Sequence, residues 1–266
     1  MLKLGQELAE KLEKVRSFEN RYMLIGFSGW PDAGKVASLT ISFFTRSLRA
    51  EKLLDVSEFY DLTANRPMVE VKDGLIERLT FPEAAIFSWT GGSHSLLIYG
   101  GPEPGYDWTA FAESLLKLCE AASIQRIYLV GGVLDNVPHT RQPRISAVVN
   151  MEHLKLEAKV YGLDLTNYSG PASIHSYLML KAGEKGLEAV GLWGHSPNYL
   201  PYPNAIVAYH LSRKLAEMMK LQMSFEELEK MAEDLRRRLD DLRRENPEFA
   251  RLVEQLERKY DEEYGG

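Results

Sequence analysis

Hydrophobic positions along this chain follow two rhythms, and the change from one to the other marks its elements. Leu8, Leu12 and Val15 recur at helical spacing, which predicts a short amphipathic helix over residues 5–17. The continuous apolar run Tyr22 to Phe27 then reads as a buried strand, and Val36 to Leu48 returns to helical spacing. Strand-like segments are predicted at 53–59, 68–71, 75–79, 85–89 and 96–99, with Asp73-Gly74 as the turn between the second and third. From Asp107 the order is regular: a helix over 107–122, a strand over 126–130, a strand over 145–149, helices over 153–161 and 171–184, a strand over 187–193, and a helix over 205–220. Alternating strands and helices imply a largely parallel mixed sheet covered on both faces, a three-layer α/β/α sandwich.

Past Gln222 the pattern becomes a heptad. Leu228, Leu235, Leu242, Phe249 and Leu256 stand at seven-residue intervals, interleaved with Phe225, Ala232, Leu239, Asn246, Val253 and Tyr260. Asn246-Pro247 breaks the run with a helix-start signature, so either a kinked helix or a helical hairpin is expected. These helices either fold onto their own domain or meet another copy or partner. The expected division is therefore a sandwich over residues 1–222 and a charged C-terminal α-helical extension over 223–266.

Charge changes the picture mainly in that extension. Between Ser224 and Tyr264 stand 14 acidic and nine basic residues, a net −5 out of the whole chain's formal −6. An acidic balance disfavours a general nucleic-acid or anionic-membrane surface. No apolar run approaches the roughly 18 residues a membrane helix needs, and no charged leader precedes one. The single cysteine, Cys119, lies in a helical run and cannot staple the chain. A cytoplasmic protein without membrane or nucleic-acid partners is expected.

Candidate chemistry sits in four loops. Gly29-Trp30-Pro31-Asp32-Ala33-Gly34-Lys35 has the spacing of a phosphate-binding loop through its lysine, but Val36 stands where Ser or Thr would hold magnesium. Pro31 also removes an N–H that phosphates would use. The run is expected to be scaffold, with Asp32 as a cap for the next helix. Val137-Pro138-His139-Thr140-Arg141 follows a strand and Gly131-Gly132, at the end of the sheet where ligand crevices form. Thr140 and Arg141 could bind an anion and His139 could titrate near neutrality, or the three could tie down a turn or a subunit contact.

Tyr168-Ser169-Gly170-Pro171-Ala172-Ser173-Ile174-His175 places Pro171 as a first helical residue behind a Ser169 or Gly170 cap, leaving N–H groups that suit an anion. In the plainer reading His175 is hydrogen-bonded inside. Trp193-Gly194-His195-Ser196-Pro197-Asn198-Tyr199-Leu200-Pro201-Tyr202-Pro203 is stiffened by prolines, and Tyr199 and Tyr202 offer an amphipathic rim for an interface. His139, His175 and His195 lack the short spacing of a metal site, and Ser28, Ser169 and Ser196 stand in no nucleophile elbow. No metal, cofactor or catalytic triad is expected.

Together these motifs resemble the proteasome assembly chaperone family, in the branch that includes bacterial and archaeal proteins. The matching pieces are Gly29-Trp30 with Asp32-Ala33-Gly34, Val137 to Arg141, Gly170-Pro171-Ala172-Ser173 with His175, and Tyr199-Leu200-Pro201 with Tyr202-Pro203. The resemblance implies an α/β/α sandwich similar to nucleoside phosphorylases and peptidyl hydrolases, self-assembly, and chaperoning of proteasome-type subunits rather than catalysis. The expectation is a non-enzymatic homo-oligomer that binds partner protein subunits, with Tyr199, Tyr202, Leu228, Leu235, Leu242, Phe249 and Leu256 as interface candidates. The alternative is a small-ligand protein, or a hydrolase- or phosphorylase-like enzyme, whose crevice is lined by Asp32, His139, Thr140, Arg141, Ser173, His175 and His195.

Overall fold

In the computed structural model, which describes residues 6–200 and 203–264, one eight-stranded sheet carries the fold. Chain order is α1 (Gln6–Arg16), β1 (Asn20–Ser28), α2 (Val36–Ser47), β2 (Glu51–Asp55), β3 (Met68–Lys72), β4 (Leu75–Thr80), β5 (Ala85–Gly91), β6 (His94–Pro102) and α3 (Trp108–Ala121). There follow β7 (Arg126–Asp135), β8 (Ile145–Val149), α4 (Leu154–Val160), β9 (Asp164–Leu165), α5 (Ile174–Glu184), β10 (Glu188–Pro197), α6 (Ala205–Met219), α7 (Glu226–Glu245) and α8 (Pro247–Tyr264).

The sheet order is β2-β5-β6-β1-β7-β10-β8-β9. Its centre, β6-β1-β7-β10, is parallel; β5 and β2 add antiparallel strands at one edge, and β8 pairs antiparallel with β10 at the other. Strand residues alternate between two cores. Leu24, Leu96, Ile98, Tyr128, Val130, Val190 and Leu192 face the layer of α2, α4 and α6, while Met23, Ile25, Phe27, Leu97, Tyr99, Ile127 and Leu129 face α1, α3 and α5. Both faces are apolar, so the central strands read as continuous hydrophobic runs. The architecture is an α/β/α sandwich with a largely parallel mixed sheet, as the periodicity implies.

Several boundaries differ from the sequence reading. Strands β6, β7 and β10 run past the expected ends to Pro102, Asp135 and Pro197, so that Gly131 and Gly132 lie within β7, and two elements begin or stop elsewhere. The strand expected over 53–59 stops at Asp55, and Ser57–Phe59 form a 3₁₀ turn that buries Phe59. The helix expected from Pro171 begins three residues later at Ile174, with Ser173 extended at its cap. Pro171 is exposed and lies before the helix.

At the C-terminal end, α7 lies along α6, and its Leu228, Ala232 and Leu239 join the same core as Leu211 and Leu215. Tyr209 donates to Glu229 at 2.7 Å across this contact. Asn246 then leaves the helix with extended backbone, and its side-chain oxygen accepts from the N–H groups of Glu248 and Phe249 at 3.0 and 3.1 Å. The capping Asn and first-turn Pro247 thus start a new helix, which returns to the loop after β7.

Candidate functional site

The glycine turn after β1 is locked to the sheet, not open to a ligand. Asp32 bridges to Gly132 of β7, and the Gly132 N–H donates to the Pro31 carbonyl at 2.8 Å. A Cβ at Gly132 would lie 2.1 Å from the Ala33 carbonyl oxygen, so the residue must be glycine for the turn to approach β7. Gly34 has a positive φ of 62°, and its carbonyl accepts from the Asn204 N–H at 2.6 Å.

The start of α2 already holds an anion. Asp32, only 4% exposed, accepts from the Ser38 N–H at 3.1 Å and the Ser38 hydroxyl at 2.5 Å, with the Lys35 ammonium 3.8 Å away. Burial pushes its carboxyl up, against the pull of Ser38 and Lys35. A carboxylate of the chain itself sits where a phosphate would. The beginning of α5 repeats the device: Glu103, just beyond β6, accepts from the Ile174 N–H at 2.9 Å.

The loop after β7 grips α8. Thr140 donates to Glu257 at 2.5 Å, and Arg141 binds Asp261 through two nitrogens at 2.8 and 2.7 Å while touching Glu257 at 3.3 Å. Arg243 of α7 reaches the same Glu257 at 3.1 and 3.3 Å. Burial works to raise the Glu257 carboxyl, but Thr140, Arg243 and Arg141 together hold it below the usual range. The Tyr260 hydroxyl donates to the Gln142 carbonyl at 2.8 Å, and Arg144 stacks 4.9 Å from the Tyr264 ring. Paired planar groups of this kind fix orientation as well as position.

The three histidines do not converge on one cavity. His139 is buried; its N–H donates to the Tyr199 hydroxyl at 2.8 Å, which lies 2.7 Å from its Nδ1, and its ring stacks on Phe249 of α8 at 9°. Burial lowers its pKa. His175 belongs to the opposite core: Nε2 donates to the Val130 carbonyl at 3.0 Å, Nδ1 meets the Ser173 hydroxyl at 3.2 Å, and Phe27 and Trp193 pack on the ring. Complete burial brings its pKa down to about 4, so the ring is neutral.

His195, near the end of β10, lies between Ser146 of β8, 2.8 Å from Nε2, and Asp135 of β7, 2.7 Å from Nδ1. The chain of atoms is that of a serine hydrolase, and neither Ser146 nor Asp135 was a sequence candidate. Ser146 is 3% exposed, so it presents no face to a substrate and ties β8 to β10 instead. A narrow cleft beside this tie gathers His139, Arg141 and His195 with Arg144, Pro197 and Asn204, while Asp32, Thr140, Ser173 and His175 lie outside its lining. Among the described residues, no group of three or more His, Cys, Asp or Glu is placed to hold a metal ion.

Of the interface candidates, Leu228 is buried against α6, and Phe249 packs on Tyr199 and His139. Leu235 and Leu256 are half-buried, Leu242 is 43% exposed, and Tyr202 lies outside the described residues. The carboxylates Glu103, Glu257 and Asp261 escaped the sequence reading because they stand 71, 117 and 120 positions from the groups they bind. The acidic heptad flank of the extension hinted at Glu257 and Asp261, and nothing local hinted at Glu103. No described helix is long and apolar enough to cross a membrane.

Known proteins share this fold. A proteasome-assembly chaperone homologue of Mycobacterium tuberculosis superposes with a TM-score of 0.77 at 25% identity, covering 87% of this chain and 99% of its own. A PAC2 family protein of Streptomyces avermitilis gives 0.76 at 27% identity, covering 88% and 100%. An uncharacterized protein of Methanocaldococcus jannaschii is 22% identical over 236 residues, 87% of this chain and 86% of its own length. The PAC2 family model matches residues 26–243, which takes in every sheet strand except the start of β1 together with most of α7. On that match, the chain belongs to the PAC2 family.

Proposed function

We propose that this protein is a non-enzymatic, self-associating factor that holds partner protein subunits in the cytoplasm, in the manner its likeness to a proteasome-assembly chaperone homologue implies. One observation carries the reading: the anion-receptive groups at the strand ends are engaged by the chain's own carboxylates. Asp32 fills the start of α2, Glu103 fills the start of α5, and Glu257 with Asp261 occupy Thr140 and Arg141. A crevice saturated from within supports a scaffold more than a catalyst.

In this reading α7 and α8 are a helical clasp, and its Phe249 and half-exposed Leu235, Leu242 and Leu256 form a rim with Tyr199. Native mass spectrometry of the purified chain, alone and mixed with purified proteasome-type subunits from the same cells, tests the proposal. A multimer that forms a defined complex with one of those subunits is expected. A strict monomer that binds none of them overturns it.

The hydrolase-like alternative draws on Ser146, His195 and Asp135. Its test is hydrolysis of activated esters, with the loss of any turnover in Ser146→Ala as the discriminating result.

A further inference from the structure

The β3–β4 hairpin stands apart from the main sheet as its own two-stranded sheet. All of its residues are exposed. The register pairs Met68 with Thr80, Val69 with Leu79, Glu70 with Arg78, Val71 with Ile76 and Lys72 with Leu75. Opposed residues share a face, so one face carries Val69, Val71, Ile76 and Leu79 and the other carries the Glu70–Arg78 ion pair at 3.7 Å together with Lys72, Leu75, Met68 and Thr80. The four residues of the apolar face are 49–72% exposed. A solitary two-stranded hairpin is marginal in water, and three or more strands with an apolar face are needed for independent stability.

The two outer edges are not alike. The register slips between Glu70 and Val71, which leaves Glu77 as an extra residue on β4. A bulge of this kind spoils an edge for further pairing, whereas β3 offers a regular one. The occupant that fits the β3 edge is another β3. Antiparallel pairing about a two-fold axis keeps both apolar faces on one side only when an even-sum register places like faces opposite each other.

Five such registers lie within Met68–Lys72. Those centred on Met68 and Lys72 oppose one strand residue only, and the one centred on Val69 opposes Val69 with itself and gives Glu70 only Met68 as its opposite, with no charge paired. The one centred on Glu70 opposes Glu70 with itself, and the one centred on Lys72 opposes Lys72 with itself. The register centred on Val71 opposes Glu70 with Lys72 twice and Val71 with itself, and like charges directly opposite are destabilising where opposite charges help.

We propose that the β3–β4 hairpin joins the same hairpin of a second copy, β3 to β3 about Val71, into a continuous four-stranded sheet with reciprocal Glu70–Lys72 pairs. The inference rests on the self-association proposed above and names its surface. Charge complementarity selects a second copy over an unrelated strand. The interface is isologous, so it closes as a pair and does not propagate.

The experiment compares four full-length chains by native mass spectrometry and light scattering: the natural sequence, Glu70→Lys, Lys72→Glu, and the double exchange. Each single change replaces two attractive pairs by two repulsive ones and is expected to weaken the pairing about tenfold. The double exchange should restore it. A role for Glu70 confined to its own Arg78 predicts no rescue. A Val71→Cys chain should form a disulfide-linked dimer on mild oxidation, because Val71 meets its own copy, and a Leu79→Cys chain should not. Circular dichroism checks that each variant is folded.

Association that none of these changes alters overturns the hairpin proposal while leaving self-association standing. A natural chain that is monomeric at micromolar concentration overturns both. Binding of the hairpin to a different protein without self-pairing also overturns the hairpin proposal.

Discussion

Arg141 and Asp261 meet through two parallel hydrogen bonds, at 2.8 and 2.7 Å, although 120 positions separate them. This pair is the outer half of a clasp whose inner half is Glu257, which accepts from Thr140, Arg141 and Arg243. The two halves should not be equal. Exposed ion pairs contribute little, whereas truncating a shielded acceptor strands several donors at once. Asp261→Asn is therefore expected to leave the unfolding midpoint nearly unchanged, while Glu257→Ala should lower stability by about 1 kcal/mol or more. Hydrogen exchange over residues 247–264 should quicken in both variants, and more in the second.

Glycine requirements differ sharply by position. At Gly132 a Cβ would press to 2.1 Å against backbone, whereas at Gly74, with a φ of 81°, nothing lies within 4 Å. Gly132→Ala should cost at least about 3 kcal/mol or prevent folding, because the turn after β1 cannot retreat without losing the Asp32 bridge. Gly74→Ala should cost only about 1 kcal/mol, from backbone conformation alone. Denaturant unfolding of the two variants measures the contrast.

Asp32 occupies the start of α2, so a nucleotide should find no seat there. Magnesium and ATP are expected to leave the thermal midpoint of the natural chain and of Lys35→Ala unchanged. A metal-dependent rise in the natural chain that is lost in Lys35→Ala would refute this account of the turn.

His175 supplies a pH signature. Its folded pKa of about 4 lies below the unfolded value of about 6.5, so the unfolded chain takes up its proton first as pH falls. Stability from this group is complete above the unfolded value. It is lost progressively between about pH 6.5 and 4, by about 3 kcal/mol in total. Its ring faces Val130, Ser173, Phe27 and Trp193, none of them charged. Asp32 and Glu103, whose carboxyls burial raises, act with the opposite sign in the acid range. Replacing the histidine removes only its own contribution, so His175→Gln should show a flatter stability-against-pH curve over that window.

Much of the fold was legible because its signals are local. The run Tyr22 to Phe27 needed no partner to be read as a buried strand, and Asn246-Pro247 announced a new helix from two adjacent residues. The start of α5 was misjudged for the opposite reason. Pro171 has the form of a first helical residue, but Ser173 is the cap, and the first N–H of the helix, at Ile174, is taken by the Glu103 carboxylate from another element. The candidate site was half legible in the same sense. Thr140 and Arg141 are residue types that suit an anion or a tied-down turn, but the carboxylates they meet come from α8, and no spacing rule spans such a separation. Likewise, the alternation in Met68 to Leu79 identified the two strands without revealing that their apolar face has no cover.

The packing of α7 on α6 sets an order of events at the ribosome. A nascent chain that has emerged only as far as α6 has every strand of the eight-stranded sheet, yet Leu211, Leu215 and their neighbours still await Leu228, Ala232 and Leu239. Until α7 is extruded, that sticky flank is open to chaperones or to neighbouring polysomes. Slow translation of the codons for α7 would lengthen the hazard, and truncation before it would make the hazard permanent.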